Sequence, residues 1–317
     1  MSSNKKMRNF CTLADSEYLV KGLTLYNSLL KTQEEDFRLY FLCLEDSVFK
    51  YLSEGEFDKI IPLNISDIES DDFEIKSVKF LQPSVEAISS GSAKNKDPKY
   101  IQFCWALAPY LCWRLMLQGL DDIVYIDADL FFYRDFSEIY NEIGDKSVGI
   151  IRHRIDYLPN SGEYNVGIVY FKNDYAGRRC SEWWKRMLVT PGNPYYAGYG
   201  MCGDQKYLEL FEKIFGYENI AVIDENIGHL APWSVTFHKY ENDKIVWEEK
   251  HQDLYFFHFA HFVPDFKKDG YRTSYNNEWI WGVPEDTHEF VKLKYDEYYF
   301  ESKSTFENLL EGKFNNA

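Results

Sequence analysis

Ile123-Val124-Tyr125-Ile126-Asp127-Ala128-Asp129-Leu130-Phe131-Phe132 is the stretch that decides the fold of this chain of 317 residues. It is rich in β-branched and aromatic residues, which predicts a buried strand. Two acids interrupt it at i and i+2, and residues at that spacing face the same side of a strand. Adjacent carboxylates repel each other and lose solvation unless a cation compensates them, and hard oxygen ligands suit Mg²⁺ or Mn²⁺. Asp127 and Asp129 are therefore predicted to hold such a cation at the end of the strand.

The sequence before this strand predicts an α/β fold with a mostly parallel central sheet. Short apolar runs at 10–14, 38–44 and 59–63 alternate with segments of helical spacing at 19–30 and 48–57. Such a β-α-β-α-β opening implies parallel strands joined by right-handed crossovers. Further helices are predicted on both sides of the acid-bearing strand, so the sheet should be flanked by helices.

The chain is predicted to form one large domain, residues 1–284, followed by a helical extension, residues 285–317. The extension is acidic and amphipathic, which is typical of a helix lying at a surface. Within the domain, residues 64–99 are rich in Asp, Ser and Lys, with scattered apolar residues, so this segment could form an insertion or a flap.

Composition excludes some classes of protein. The formal charge of −16 argues against nucleic acid as a partner, although one cation and one or two lysines could still meet a small diphosphate. The six cysteines form no Cys-x-x-Cys pair, which favours buried, reduced thiols over a zinc site. Neither a signal-peptide core nor an apolar span of about 18 residues is present, so the sequence predicts a cytoplasmic protein, or one peripheral at the inner face of the membrane.

Strand-helix alternation ending in Asp-x-Asp resembles the GT-A nucleotide-sugar glycosyltransferases, nearest to glycosyltransferase family 8 and its relatives. The resemblance covers roughly residues 8 to 270, and residues 121–129 are its strongest part. Residues 164–171 resemble the family's F-N-[AS]-G strand, which lines the sugar pocket. Gly203-Asp204-Gln205 resembles the Asp-Gln pair beside the transferred sugar, and residues 258–262 resemble the late H-[FY] segment.

The resemblance implies a role for each matching position. Metal ligands would be Asp127, Asp129 and His258, with His261 as the alternative histidine. Residues expected at the reacting sugar are Asn165, Asp204 and Gln205. Residues expected to bind the donor are Thr12, Ala14, Asp15, Tyr18, Asp127, Gly167, Lys267 and Lys268. Tyr18 would stack on uracil, and Lys267 or Lys268 would meet the β-phosphate, although the family's Gly and Lys-Pro-Trp ending is absent here.

One departure from the family's pattern lies in the helix before the metal-binding strand and concerns the binding of the donor sugar. Where the family often carries an arginine four residues before a proline, this chain has Trp105 before Pro109, and the next arginine is Arg114. Arg152 or Arg154, just after a predicted strand, could substitute. The aromatic-glycine loop around Tyr195–Tyr199 could form a wall for the acceptor.

The expected activity is metal-dependent transfer of a sugar from a nucleoside diphosphate, most simply a UDP-sugar, to a hydroxyl of a glycan, lipid-linked or protein acceptor. Family 8 resemblance implies retention of anomeric configuration, whereas inversion would need a base such as Asp204 or Asp224. A nucleotidyltransferase is disfavoured because Leu13-Ala14-Asp15-Ser16-Glu17 is neither glycine-rich nor basic. A sugar-nucleotide-binding protein without catalysis is the remaining alternative.

Overall fold

The computed structural model describes residues 7–81, 96–155, 162–189, 203–275 and 283–311. The Tyr195–Tyr199 loop, Cys202 and most of the serine-rich part of 64–99 lie outside these ranges. Within them, every helix is too short or too polar to cross a lipid bilayer.

Strands and helices alternate through the first half, as the hydrophobic pattern predicts. The strands are β1 (Arg8–Ala14), β2 (Phe37–Cys43), β3 (Ile60–Asn64), β4 (Asp122–Ile126), β5 (Leu130–Phe132), β6 (Val148–Arg152), β7 (Tyr164–Lys172), β8 (Ile220–Ile223), β9 (Ile227–Leu230), β10 (Lys239–Glu241), β11 (Lys244–Trp247), β12 (Lys250–His258), β13 (Val263–Asp265) and β14 (Gly270–Arg272). The α-helices are α1 (Leu19–Thr32), α2 (Asp46–Glu54), α3 (Ile65–Asp71), α4 (Phe73–Val78), α5 (Pro98–Leu117), α6 (Ser137–Ile143), α7 (Tyr175–Val189), α8 (Phe211–Phe215) and α9 (Glu285–Leu310). Short 3₁₀ helices span Gln205–Leu210 and Val235–Phe237.

The central sheet has seven strands in the order β3-β2-β1-β4-β7-β6-β8. All neighbours are parallel except at β7, which runs antiparallel to both β4 and β6. The carboxyl ends of β1 and β4 therefore meet at one edge, together with the amino end of β7. This is the edge at which α/β sheets commonly bind ligands.

A second sheet carries the chain segment that follows the acidic pair. Its order is β10-β11-β12-β5, with β9 also paired to β12. Strand β12 runs antiparallel to β5, with His258 opposite Leu130. The late aromatic run predicted as a strand is thus part of this sheet, although the strand ends at His258 rather than at Phe262.

Side chains alternate between two cores on the two faces of the central sheet. Phe10 belongs to the core under α1 and α2, whereas its neighbour Cys11 belongs to the core under α5 and α7. A third core lies between the second sheet and α9, where Tyr298 stacks on Phe259 at 4.0 Å between ring centroids. The alternation is the two-residue period of a strand that is buried on both faces.

Helix α9, which lies within the segment expected to be an extension, is packed against the domain. Its Tyr295 and Tyr298 are fully buried. Asn27 Nδ2 of α1 donates to Thr305 Oγ1 at 3.1 Å. These contacts join α9 to the third core and to α1. The helix therefore supports the second sheet, which carries His258.

Element boundaries differ from the sequence expectation in three places. Helix α5 begins at Pro98 and continues through Pro109, a position that costs one backbone hydrogen bond within a largely buried helix. The segment 204–215 forms a 3₁₀ turn and a short α-helix rather than one helix. The polar segment 64–99 contains α3 and α4, whose amino ends are capped by the side chains of Asn64 and Asp72.

Candidate functional site

A cavity of about 460 Å³ opens at the edge where β1, β4 and β7 meet. It is lined by acids, aromatic rings and two histidines. The lining residues with polar or aromatic side chains are Asp15, Tyr18, Lys96, Tyr100, Cys104, Trp105, Tyr125, Asp127, Asp129, Asn165, Asp204, Gln205, Trp233, His258 and His261. Most of the site residues expected from the sequence therefore reach one cavity.

The acidic pair lies in the turn that follows β4. The sequence predicts one buried strand over residues 123–132, with both acids facing the same side and holding a cation at its end. Strand β4 ends at Ile126, and the Leu130 N–H donates to the Asp127 carbonyl at 3.1 Å, which closes the turn before β5. The Asp127 N–H still donates to the Gly167 carbonyl of β7 at 3.0 Å, but the register of β4 with β7 ends at Ile126, opposite Ile168. Both carboxylates nevertheless line the cavity, so the turn brings them together as a strand would have done.

His258 completes a cluster with the two acids. Its Nε2 lies 3.1 Å from Asp129 Oδ1 and 3.7 Å from Asp127 Oδ2. The β5–β12 pairing sets this position, and the Phe259 N–H donates to the Asp129 carbonyl at 2.8 Å just beyond it. One ligand atom from each of the three residues lies within 4.8 Å of the others.

Burial and the neighbouring charges shift the pKa values of all three side chains in the cluster. Burial raises the pKa of Asp127, and neighbouring Asp129 adds to this effect, although His258 opposes it. Burial acts the same way on Asp129, but His258 and then Lys21 outweigh it and hold the pKa of that carboxyl below its usual range. His258 shows the reverse, because burial is outweighed by Asp129, which raises the pKa of the imidazole.

Two carboxylates and one imidazole fit a divalent cation of the Mn²⁺ or Mg²⁺ type. Carboxylate oxygens are the ligands that these hard ions prefer, and an imidazole is tolerated well by Mn²⁺. A cation would also relieve the repulsion that burial imposes on the two acids. The three side chains can therefore hold a metal ion at the cavity wall.

Lys21 is a charged residue of this site that the sequence analysis missed. It lies on α1, is only 7% exposed, and its Nζ is 3.7 Å from Asp129 Oδ2. The ammonium also lies over the Tyr18 ring at 4.2 Å from the centroid. Burial lowers the pKa of Lys21 despite the nearby Asp129. A lysine inside the apolar stretch of α1 was the available signal, since buried lysines need an acidic partner.

The end of the cavity beside β1 holds the residues expected to bind a nucleotide. Ala14 and Tyr18 line it, and Asp15 accepts hydrogen bonds from Lys96 Nζ at 2.5 Å and from the Tyr100 hydroxyl at 3.0 Å. Thr12 is fully buried within β1 and is not part of the lining formed by the described residues. Lys96, which no sequence pattern singled out, thus places a positive charge at this end.

The sugar-pocket residues gather on the opposite wall. Asn165 Oδ1 accepts the Gly167 N–H at 2.8 Å and lies 3.3 Å from His258 Nδ1. A Cβ on Gly167 would come within 2.6 Å of Asn165 Oδ1 and 3.0 Å of His258 Nδ1. Glycine is therefore needed at 167 to let these two side chains pack on the backbone. Gly167 was expected to bind the donor, but it is not part of the cavity lining formed by the described residues.

Asp204 and Gln205 follow a turn that packs on Trp105. Gly203 has φ of +52°, and a Cβ there would lie 2.9 Å from the Trp105 ring. Asp204 is buried, and burial together with Asp127 raises the pKa of its carboxyl well above the usual range. Trp105, which stands where the family carries an arginine, thus forms part of the wall and supports this turn.

Several expected residues lie away from the cavity. Lys267 and Lys268 are exposed in the turn between β13 and β14, and Lys268 pairs with Asp265. Arg152 pairs with Glu163 and with Asp224, Nε to Oδ2 2.7 Å. The described lining of the cavity includes none of these residues, nor Arg154, whose guanidinium donates to the Ile227 carbonyl at 2.7 Å. Both His258 and His261 line the cavity, because the strand ends at the first and the chain turns at the second with φ of +60°.

Two curated proteins of Bacillus subtilis strain 168 are similar in sequence, and both are described as uncharacterized. YfnF is 27% identical over 266 residues, which is 79% of this chain and 80% of that protein. YfnD is 22% identical over 307 residues, which is 92% of this chain and 87% of that protein. No protein-family model matches the chain.

Two solved structures establish the fold. Mouse xyloside xylosyltransferase 1 superposes with a TM-score of 0.52 at 16% identity, over 80% of this chain and 98% of that one. The galactosyltransferase LgtC, solved with donor and acceptor sugar analogues, gives a TM-score of 0.52 at 11% identity, over 93% of this chain and 95% of that one. The GT-A fold expected from the sequence, with its mixed and mostly parallel sheet flanked by helices, is confirmed.

Proposed function

We propose that this protein is a metal-dependent glycosyltransferase that moves a sugar from a nucleoside diphosphate, a UDP-sugar, to a hydroxyl acceptor with retention of anomeric configuration. One observation carries the proposal: Asp127, Asp129 and His258 converge on the wall of a cavity of about 460 Å³ at the ligand-binding edge of a GT-A fold. The names of the two solved neighbours, a xylosyltransferase and a galactosyltransferase, support the reaction class.

The cavity offers a different chemistry at each end, which suits a nucleotide sugar. In the proposal, Asp15 and Tyr18 bind the base beside Ala14, and Lys96 adds a positive charge at that end. Asp127, Asp129 and His258 hold Mn²⁺ or Mg²⁺ in the middle. A bound cation would stabilise the negative charge that develops on the departing diphosphate.

Asp204 and Gln205 are proposed to flank the transferred sugar. Both line the cavity, together with Asn165 and Trp233. Carboxylate and amide groups can hydrogen-bond sugar hydroxyls, and a carboxylate can stabilise positive charge at the anomeric carbon. Asp224 is held by Arg152 away from the cavity, which favours Asp204 over Asp224 for any role at the reacting carbon.

The acceptor is proposed to be a glycan, a lipid-linked saccharide or a protein hydroxyl, and nucleic acid is not expected. The chain carries 51 acidic against 35 basic residues, and acidic side chains dominate the charged lining of the cavity. A cytoplasmic site of action, or one at the inner face of the membrane, is part of the proposal, since Cys11, Cys43, Cys104, Cys112 and Cys180 are free thiols.

A donor screen tests the proposal. Purified protein with Mn²⁺ is incubated with a panel of sugar nucleotides, with and without simple glycoside acceptors, and release of nucleoside diphosphate is measured. We expect release from at least one uridine-linked donor and its loss when EDTA is added. Donor binding without release from any member of the panel would instead favour a sugar-nucleotide-binding protein.

A further inference from the structure

A line of hydrogen-bonding groups leads from a backbone carbonyl to the candidate metal ligand His258. His153 Nδ1 lies 2.8 Å from the Gly162 carbonyl, and its Nε2 lies 3.3 Å from Asn165 Nδ2. On the other side of the same amide, Asn165 Oδ1 lies 3.3 Å from His258 Nδ1. His153, Asn165 and His258 are all buried, so water cannot replace these contacts freely.

The hydrogen-bond partners of the His153 ring determine which of its two nitrogens carries a proton. A carbonyl oxygen can only accept, so His153 Nδ1 must carry the proton that it donates to Gly162. Burial lowers the pKa of His153 to about 4, which leaves the ring neutral at neutral pH with a lone pair on Nε2. That lone pair needs a donor, and the Asn165 amide nitrogen faces it.

The orientation of the Asn165 amide determines in turn which nitrogen of His258 carries a proton. With its nitrogen turned to His153, the amide presents its oxygen to His258 and to the Gly167 N–H, which donates to it at 2.8 Å. Asn165 Nδ2 is also 3.4 Å from Gln205 Oε1, an acceptor, which favours the same orientation of the amide. An oxygen opposite His258 Nδ1 requires a proton there. Nε2 faces the Asp129 carboxylate, which can only accept, so without a cation it also carries a proton that it donates to Asp129, and this is the proton that a bound metal ion would replace.

The indole ring of Trp233 holds both imidazoles from one side. Its ring centroid is 5.7 Å from that of His153 and 5.2 Å from that of His258, with edge-to-face geometry in both cases. These edge-to-face contacts favour the observed orientations of both rings.

We propose that His153 is a positioning residue that, through the Asn165 amide, sets the tautomer of His258 so that Nε2 is available to a metal ion. The inference rests on the proposed function, because it requires a cation at His258. His153 lies outside the part of the cavity lining that the structure describes, and the hydrogen-bonded path from its ring to His258 runs through Asn165. Without the acceptor at His153 Nε2, of the described groups only the Gly167 N–H and Gln205 Oε1 hold the amide in this orientation. A larger share of molecules can then present the amide nitrogen to His258, which moves the proton to the ligating atom.

Metal affinity in two variants tests the proposal. His153→Leu removes the acceptor, whereas His153→Gln can present an oxygen at the position of Nε2. We expect His153→Leu to weaken Mn²⁺ binding by about 10- to 100-fold, the usual cost of losing a group that orients a metal-bound histidine. His153→Gln should recover most of this affinity. His251→Asn, at an exposed histidine, is the matched control and should bind Mn²⁺ like wild type.

Nitrogen-15 NMR of histidine-labelled protein supplies a readout other than metal affinity. In the metal-free wild type at neutral pH, His153 should be neutral with its proton on Nδ1. In the Mg²⁺-loaded protein, His258 should carry its proton on Nδ1 alone, and in His153→Leu this preference should be lost. If His153→Leu does not fold, the two wild-type spectra still test the predicted proton positions on His153 and His258.

The failure of this inference can be told apart from the failure of the proposed function. A proton on Nε2 of His153, or Mn²⁺ affinity unchanged in a folded His153→Leu variant, would overturn the inference while the metal site stands. A wild type that binds no Mn²⁺ would overturn both the metal site and the role of His153 toward it, whatever the tautomers.

Discussion

Nε2 of His258 lies 3.1 Å from Oδ1 of Asp129, although the two residues are far apart in the sequence. The pairing of β12 with β5 produces this contact by placing His258 opposite Leu130, one residue after the acid. Lys21 approaches the other oxygen of Asp129 from α1. Asp129 is therefore the residue that both Lys21 and His258 contact, one at each carboxylate oxygen.

Replacing either acid with asparagine should remove metal binding. We expect Asp127→Asn and Asp129→Asn each to weaken Mn²⁺ by at least about 100-fold, since a neutral amide oxygen is a poor substitute for a carboxylate. Both variants should fold, because the side chains are nearly isosteric. Titration calorimetry with Mn²⁺ measures the effect, and Asp121→Asn, at an exposed acid next to β4, is the control. Wild-type affinity in both variants would defeat the metal assignment.

Tyr18→Ala tests the nucleotide end of the cavity. Tyr18 lines the cavity wall beside Asp15. If its ring stacks on the base, its loss should weaken free uridine diphosphate and the whole donor alike, by about 1–3 kcal/mol. Binding of both ligands is compared by calorimetry with that of Tyr175→Ala, at an exposed tyrosine on α7. A loss confined to the sugar-bearing donor would place Tyr18 in the sugar pocket instead.

Gly167→Ala should damage the site without unfolding the chain. The added methyl group would come within 2.6 Å of Asn165 Oδ1 and 3.0 Å of His258 Nδ1, so both side chains must move. We expect Mn²⁺ affinity to fall by about 10-fold or more, as for other losses of groups that orient a ligand. Gly270→Ala is the control, because nothing lies within 4 Å of its added carbon. Unchanged affinity in Gly167→Ala would show that the packing around His258 is looser than the structure indicates.

Acid should destabilise the fold through histidines that are buried in their neutral form. Burial lowers the pKa of His238 to about 3, and Arg154 adds to the effect. The unfolded chain, with a histidine pKa near 6.5, therefore binds the proton first. The contribution is constant above about pH 6.5, and below it the free energy of unfolding falls by about 1.4 kcal/mol per pH unit until the folded pKa is reached.

The variant His238→Asn isolates this contribution. Asparagine can still donate to the Ser234 carbonyl, which His238 Nδ1 contacts at 2.6 Å, but it does not titrate. Urea unfolding between pH 7 and 4.5 should show a shallower loss of stability than in wild type. His251→Asn should follow wild type, and equal slopes in all three proteins would contradict the burial argument.

Much of the fold follows from the sequence because its elements are local. The strand-helix alternation from Arg8 to Asn64 shows in the apolar spacing, and the run before Asp127 is buried on both faces as its composition indicates. The boundaries that were wrong depend on tertiary contacts. Strand β4 stops at Ile126, where its register with β7 ends, and that pairing is not visible in the apolar pattern.

The site was predictable where a family motif exists and not where packing alone decides. Asp127, Asp129 and His258 were identified from motifs, and the structure brings them together. Lys21 reaches the site from an apolar helix, where only its place in the apolar stretch pointed to an acidic partner. Lys96 reaches it from just before α5, and no pattern marks that position. Lys267 and Lys268 follow the late histidine in sequence, but the β13–β14 hairpin turns them into solvent.

Anomalous diffraction from a crystal grown with Mn²⁺ and uridine diphosphate tests the central claim most directly. We expect one strong manganese peak bounded by the carboxylates of Asp127 and Asp129 and by Nε2 of His258, in contact with the diphosphate. Uridine diphosphate bound in the cavity with no manganese between these three side chains, or with manganese held elsewhere, would contradict it.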